Sequence, residues 1–220
     1  MGRSTERYPT LETLYQRYLS DQASANFVKA VASLYTVGTL ERLAECGQRN
    51  TRRAATMALG FLGDYSSNQT MGRRLSDEDR GVRILAENGI RDLWLRDGSP
   101  AQRQWLQIII RLNNSQQAVP AEREASALID QAPFFAEAWN QRATALFLRQ
   151  RFDESANDCF QTLELNPYHF GAAVGMGQCY LELNDPVGAL DSFRRALTVH
   201  PGLEDVRAQV NYLERALEGK

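Results

Sequence analysis

Two histidines, three cysteines and one run of three acids are the residues whose types could do chemistry in this 220-residue chain. A histidine acts as a general base only with a nucleophile in reach. Neither His169 nor His200 has a Ser or Cys at an interpretable spacing, and there is no Gly-x-Ser-x-Gly elbow. Each flanks a proline, Pro167 or Pro201, so a turn role is expected for both. Cys46, Cys159 and Cys179 are scattered and odd in number, which suits a reducing compartment better than a disulfide framework. With two histidines and no close cysteine pair, a zinc cage is not expected; Cys159 and Cys179 read as compact hydrophobes. Asp77-Glu78-Asp79 lacks the glycine and the distal glutamate of a calcium loop. Ser76 just before it is expected to cap a helix, with the carboxylates facing the positive end of the helix dipole. Gly171, Gly175 and Gly177 fall inside a helical pattern and read as packing positions rather than a phosphate loop. The expectation is a non-enzymatic chain with no cofactor and no metal.

Apolar residues make up 43% of the chain and charged residues 24%, which excludes disordered and fibrous classes. Apolar runs such as Ile108-Ile109-Ile110 fall far short of the roughly 20 residues of a membrane helix. The first ten residues hold no apolar signal region and no twin arginine. Glu6 stands where an N-acylation pattern requires Ser or Thr. No membrane association and a cytoplasmic location are expected. Charge is uneven: residues 1–120 carry +4 and residues 121–220 carry −6. Lys29 and Lys220 are the only basic residues that are not arginine.

What positions these residues is a repeat. Prolines stand at 133, 167 and 201, and tryptophans at 105 and 139, in both cases 34 apart, with Ala173 next in the tryptophan series. The last unit reads Ala173-x-x-Met176-Gly177-x-x-Tyr180, then Ala189-x-x-x-Phe193-x-x-Ala196, and closes at Pro201. Before it come Trp139-x-x-Arg142-Ala143-x-x-Leu146 and Ser155-x-x-x-Cys159-x-x-Thr162, closing at Pro167. The first unit has Trp105-x-x-Ile108-Ile109-x-x-Leu112 and Ala121-x-x-x-Ala125-x-x-Leu128, closing at Pro133. Small residues such as Ala143, Gly177 and Ala189 let two antiparallel helices approach, while the prolines stop the second helix. One such hairpin cannot bury its own apolar face, so neighbours must stack. Over about 102–203 the pattern resembles the tetratricopeptide repeat, departing from it at Arg142, Ala173 and Ile109. Units are expected at 102–135, 136–169 and 170–203. A capping helix follows at 204–217, with Val206, Val210, Leu213 and Leu217 inward. A turn over 113–119 separates the helices of the first unit.

The first half repeats more faintly. Thr51-Arg52-x-Ala54-Ala55-x-x-Ala58-Leu59-x-x-Leu62 returns 31 residues later as Val82-Arg83-x-Leu85-Ala86-x-x-Gly89-Ile90-x-x-Leu93. Gly63 is expected to end the first of these helices. The pattern resembles the HEAT repeat over roughly 36–96. Upstream, Leu11, Leu14, Tyr15, Tyr18 and Leu19 form one amphipathic face, and Phe27, Val28, Val31, Leu34 and Tyr35 another. Asp97-Gly98-Ser99-Pro100 is a turn and a boundary. The expected fold is all-α: an α-solenoid of stacked helical hairpins, HEAT-like over 1–98 and tetratricopeptide-like over 99–220, the two arrays abutting as one.

With catalysis set aside, surface remains. The resemblance implies a concave face lined by the first helix of each hairpin. Counting along the repeats puts Leu106, Ile110 and Asn113 there from the first unit, and Asn140, Thr144, Phe147 and Leu148 from the second. Val174, Gln178, Leu181 and Glu182 follow from the third, and Tyr212 from the capping helix. Asn140 and Gln178 can hydrogen-bond an extended backbone. Phe147 and Leu181 can accept an apolar side chain or can seal the next helix contact. Some members of the family clamp a C-terminal carboxylate with Lys and Arg; here the matching positions carry Leu106, Ile110, Gly171 and Gly175. The expected function is therefore a protein-interaction scaffold holding an apolar or amphipathic partner segment. The alternative is a nucleic-acid grip through Arg49, Arg52, Arg53, Arg73, Arg74, Arg80, Arg83 and Arg91.

Overall fold

The computed structural model describes residues 10–219; Glu6 and the rest of the segment before Thr10 lie outside them. Every regular element among the described residues is helical, and the chain divides into two compact units between Leu93 and Trp94.

In the first unit α1 (Thr10–Asp21), α2 (Ser24–Leu34) and α3 (Val37–Cys46) lead to α4 (Arg49–Leu62). A short 3-10 turn, α5 (Asn68–Arg74) and α6 (Arg80–Trp94) follow. α4 is the centre of this unit, with Thr51 and every residue from Ala54 to Gly60 buried. Glu12 of α1 is buried against it and accepts a hydrogen bond from the Thr51 hydroxyl. Where α4 crosses α6 the backbones nearly touch. A Cβ on Gly60 would stand 3.0 Å from the Cα of Gly89, so neither position admits a side chain. The 31-residue pattern thus falls on two helices that meet, α4 and α6.

The acidic run is explained by this unit's arginines. Arg52 and Arg53 of α4 each bind one aspartate with both oxygens, Asp77 at 3.0 and 2.9 Å and Asp79 at 2.7 and 2.7 Å. Arg74 adds a bond to Asp77 at 2.9 Å, and Arg83 donates to the Asp77 carbonyl at 2.7 Å. The Arg53 guanidinium, aided by the Val82 amide, holds Asp79 down to about 2. One sequence expectation changes here. Ser76 is not the cap, because its hydroxyl donates backward to the Arg73 carbonyl; Asp79 caps α6 by accepting from the Val82 amide at 3.0 Å. Gly63 ends α4 as expected, in an extended conformation. Leu19 and Leu34, assigned to inward faces, are 46% and 59% exposed, since each lies in the last turn of its helix.

The second unit repeats with a period of 34. Its hairpins are α7 (Pro100–Asn114) with α8 (Ala118–Gln131), α9 (Ala136–Leu148) with α10 (Phe152–Leu165), and α11 (Phe170–Glu182) with α12 (Pro186–Val199). α13 (Glu204–Leu217) closes the stack against α12. The boundary turn becomes a helix start: Ser99 and Gln102 form a reciprocal capping box, with Pro100 in the first turn. The residues that reverse the chain inside each hairpin are Gln116, Gln150 and Asn184, all left-handed with φ of 56°, 60° and 58°. They too are 34 apart, and no glycine marks them. The expected turn over 113–119 is narrower, 115–117, because helix continues on both sides. In α13, Val206, Val210 and Leu213 are buried as expected, but Leu217 is 45% exposed at the last turn.

Small residues do set the helix spacing. A Cβ on Gly177 would fall 2.5 Å from the Phe193 ring, so α11 and α12 pack at a distance only glycine permits. Arg142, which stands where the repeat pattern expects leucine, is not left unpaired in the interior. It binds Asp158 of α10 through both nitrogens at 2.7 and 2.9 Å, reaches Ser126 at 3.3 Å and lies 4.8 Å from the Trp139 ring centre.

Candidate partner-binding groove

The first helices of the three hairpins lie side by side, α7 against α9 and α9 against α11, and form one layer of the second unit. Because the hairpins repeat every 34 residues, equivalent side chains line up in rows across this layer. One row is Leu106, Asn140 and Val174. A second is Ile110, Thr144 and Gln178, continued by Tyr212 on α13. A third is Asn113, Phe147 and Leu181, with Leu148 and Glu182 one residue on.

Burial separates these residues. Leu106 is fully buried in the apolar interior around Ile109, Leu128 and Phe135, and Asn113 is 6% exposed. Ile110, Asn140, Phe147 and Val174 are half-buried, while Thr144, Gln178, Leu181, Glu182 and Tyr212 are exposed. Phe147 leans edge-on against Phe152 of its own hairpin, ring centres 5.2 Å apart. Leu148, Leu181 and Tyr212 leave 43%, 39% and 67% of their surface open. Leu148 and Leu181 stand in the last turns of α9 and α11, and Tyr212 stands on α13.

A buried polar thread runs from the end of α7 through α9 to the start of α11. Asn113 of α7 donates to the carbonyl and the side-chain oxygen of Gln141, both at 2.9 Å. Gln141 and Asn140 donate to one oxygen of Glu137, at 2.8 and 2.9 Å. The other Glu137 oxygen meets His169 Nε2 at 3.0 Å. His169 Nδ1 accepts from the Ala172 amide at 2.9 Å and so caps α11, which leaves the ring proton on Nε2 and directs it at the carboxylate. Burial pushes the Glu137 carboxyl up, but bonds from His169, Gln141 and Asn140 outweigh it and hold the group below its ordinary value. Trp94 stacks on the face of the His169 ring and also packs against Phe170. Asn140, expected to be free for a ligand, is thus committed to Glu137, and Asn113 to Gln141.

Sequence reasoning missed Glu137 as a member of this thread, and read His169 only as a turn residue. The pair lies 32 residues apart, close to one repeat, which is the only signal the sequence carries for it.

Several of the remaining sequence candidates have partners within the fold. His200 is buried and its Nδ1 accepts from the Gly202 amide at 3.3 Å. Of the arginines named for nucleic acid, Arg49, Arg52, Arg53, Arg73, Arg74 and Arg91 all pair with carboxylates of the same unit. No group of His, Cys, Asp and Glu suited to a metal ion occurs among the described residues. No described helix is long and apolar enough to cross a membrane.

No protein-family model matches the sequence. A TPR repeat-containing protein of Rhizobium etli is 31% identical over 150 residues, 67% of this chain and 71% of that protein. Among solved structures, the first TPR domain of Spaghetti (RPAP3), bound to the HSP90 peptide SRMEEVD, aligns with a TM-score of 0.52. The match is 18% identical and covers 55% of this chain and 96% of that domain. The TPR2AB domain of yeast Sti1 in its complex with pHSP90 aligns with a TM-score of 0.44 at 15% identity, over 94% of this chain and 93% of that one.

Proposed function

The chain belongs to the tetratricopeptide-repeat proteins, and from that premise we propose that it is a protein-interaction module. Its groove takes an apolar or amphipathic segment of another protein along α9, α11 and α13. The observation that carries this reading is the strip formed by Leu148, Leu181 and Tyr212, apolar surface left open beside Phe147. Burying it against a partner removes that surface from water at about 25 cal/mol per Å². Thr144 and Gln178 lie beside the strip with hydroxyl and amide groups suited to a peptide backbone.

An acidic peptide such as the HSP90 peptide SRMEEVD, bound by the first TPR domain of Spaghetti, does not fit as well. Leu106 is buried, Ile110 is half-buried, and Gly171 and Gly175 bring no charge to counter a carboxylate. The arginine pairing in the first unit weighs against nucleic acid in the same way, since each guanidinium in a pair already has its counter-charge. Salt-dependent retardation of nucleic acid at about 50 mM salt would support that second reading instead.

The test is a peptide selection on the immobilised full chain, repeated on a Leu148→Asp, Leu181→Asp variant. Apolar or amphipathic peptides that bind the parent and lose the variant, at an unchanged unfolding midpoint, support the groove. Equal binding to both chains, or selection of acidic C-terminal peptides, overturns it.

A further inference from the structure

In the first unit a half-open cavity of about 420 Å³ lies between α1 and α2. The chain reverses between these helices at Gln22, which is left-handed with φ of 54°. Leu14 and Tyr18 line the cavity from α1, and Phe27 and Ala30 line it from α2, in each case one helical turn apart. Phe27 fixes the floor. It is 3% exposed and contacts two rings, Tyr18 at 5.5 Å and Phe61 of α4 at 6.5 Å between centres. Charge stands at the rim. Arg17 and Asp21 pair at 3.6 Å, and Asp21 also accepts from the Ala23 amide at 2.9 Å, so the acid that lines the cavity is committed. Lys29 is not. It is exposed on the rim, pairs with no carboxylate of the described residues and is the one lysine among them. Asn26 lines the cavity one turn before it, with a side-chain amide that can donate.

We propose that this cavity is a binding site for a small aromatic carboxylate, its rings against Tyr18, Phe27 and Ala30 and its carboxylate on Lys29. Size selects a small molecule. The volume falls in the range of about 300–1,000 Å³ found for such sites, whereas two turns of a partner helix with their side chains fill about twice the space available here. The walls select a flat ring, because Tyr18 and Phe27 already meet at an angle and a third ring can lie offset or edge-on against them. Charge selects the head group. A cationic ligand would meet an aspartate already held by Arg17 and the Ala23 amide, while a carboxylate gains a charge-assisted bond from the Lys29 ammonium and a second from Asn26. An aliphatic acid brings the same charge without the ring contacts. The site lies wholly within the first unit and stands independently of the groove along α9, α11 and α13.

The experiment is an NMR titration of the full chain with naphthoate, naphthylmethanol and octanoate, which separate the rings from the charge. Naphthoate is expected to saturate a single site with a dissociation constant of about 1 mM or tighter, and the other two compounds to bind more weakly. Lys29→Met is expected to weaken naphthoate about tenfold, the loss of one charge-assisted bond, and to leave naphthylmethanol unchanged. Ala30→Trp fills the cavity and is expected to abolish both. Lys29 is exposed, so Lys29→Met decides the matter even where Ala30→Trp lowers the unfolding midpoint. The proposal fails if naphthoate does not saturate, or if naphthylmethanol or octanoate binds as tightly. It fails equally if Lys29→Met binds naphthoate as the parent chain does.

Discussion

The indole of Trp94 lies flat on the imidazole of His169, ring centres 4.1 Å apart and planes 21° from parallel. Trp94 is 4% exposed and covers one face of the imidazole whose edge bonds the buried Glu137. Trp94→Ala is expected to cost about 3–5 kcal/mol, as a large aromatic removed from a closed site does. Trp94→Phe, which keeps a ring over the imidazole, is expected to cost less than half of that. Urea unfolding followed by circular dichroism measures both; a Trp94→Ala chain with the parent midpoint would mean that the stack contributes nothing.

Arg142 and Asp158 make a second separable claim. Asp158 is 5% exposed, so Arg142→Leu leaves a buried carboxylate without its partner. The expected loss is about 3 kcal/mol. Arg142→Leu with Asp158→Ala removes both charges and is expected to be more stable than Arg142→Leu alone. A double-mutant cycle in urea gives the coupling directly; additive losses would show that the two residues do not depend on each other.

Acid stability of the first unit follows from Asp79, whose carboxyl is held at about 2 against an ordinary value of 3.8. A depressed folded value means that the stabilisation is complete above the unfolded value and is lost as pH falls. The unfolding midpoint is therefore expected to drop between about pH 4 and pH 2. Asp79→Asn cannot titrate and should show a shallower drop over the same interval, from a lower starting stability. Parallel pH profiles for the two chains would contradict the assignment.

Gly177→Ala tests the spacing of α11 and α12. The added methyl meets the Phe193 ring at 2.5 Å, and the expected loss is about 1–3 kcal/mol through overpacking. Phe193→Leu in the same chain opens space and is expected to recover part of it. Thermal melts of the single and double variants decide, and a neutral Gly177→Ala would show that the ring moves aside freely.

The 34-residue period was legible because it is local physics repeated. Trp139, Ala143 and Leu146 share one helix face by spacing alone, Ala189 and Gly177 are small where two helices approach, and Pro167 and Pro201 forbid further helix. α13 could likewise be read from its apolar spacing, Leu217 excepted. The left-handed positions Gln116 and Gln150 were not legible, because glutamine, unlike the asparagine at 184, carries no preference for that conformation strong enough to announce it.

For the groove, counting along the repeats named the rows, and the tertiary structure decided which members remain open. Leu181 and Tyr212 stay at the surface, whereas Leu106 is covered and Asn140 is committed to Glu137. The reason is physical. Spacing along one helix determines the face on which a side chain stands, since 3.6 residues make a turn whatever surrounds it. Whether that face meets water, a carboxylate or an indole depends on groups a whole repeat away. Glu137 finds His169 only after the hairpins have stacked, and Arg142 finds Asp158 only once α9 and α10 have closed on each other.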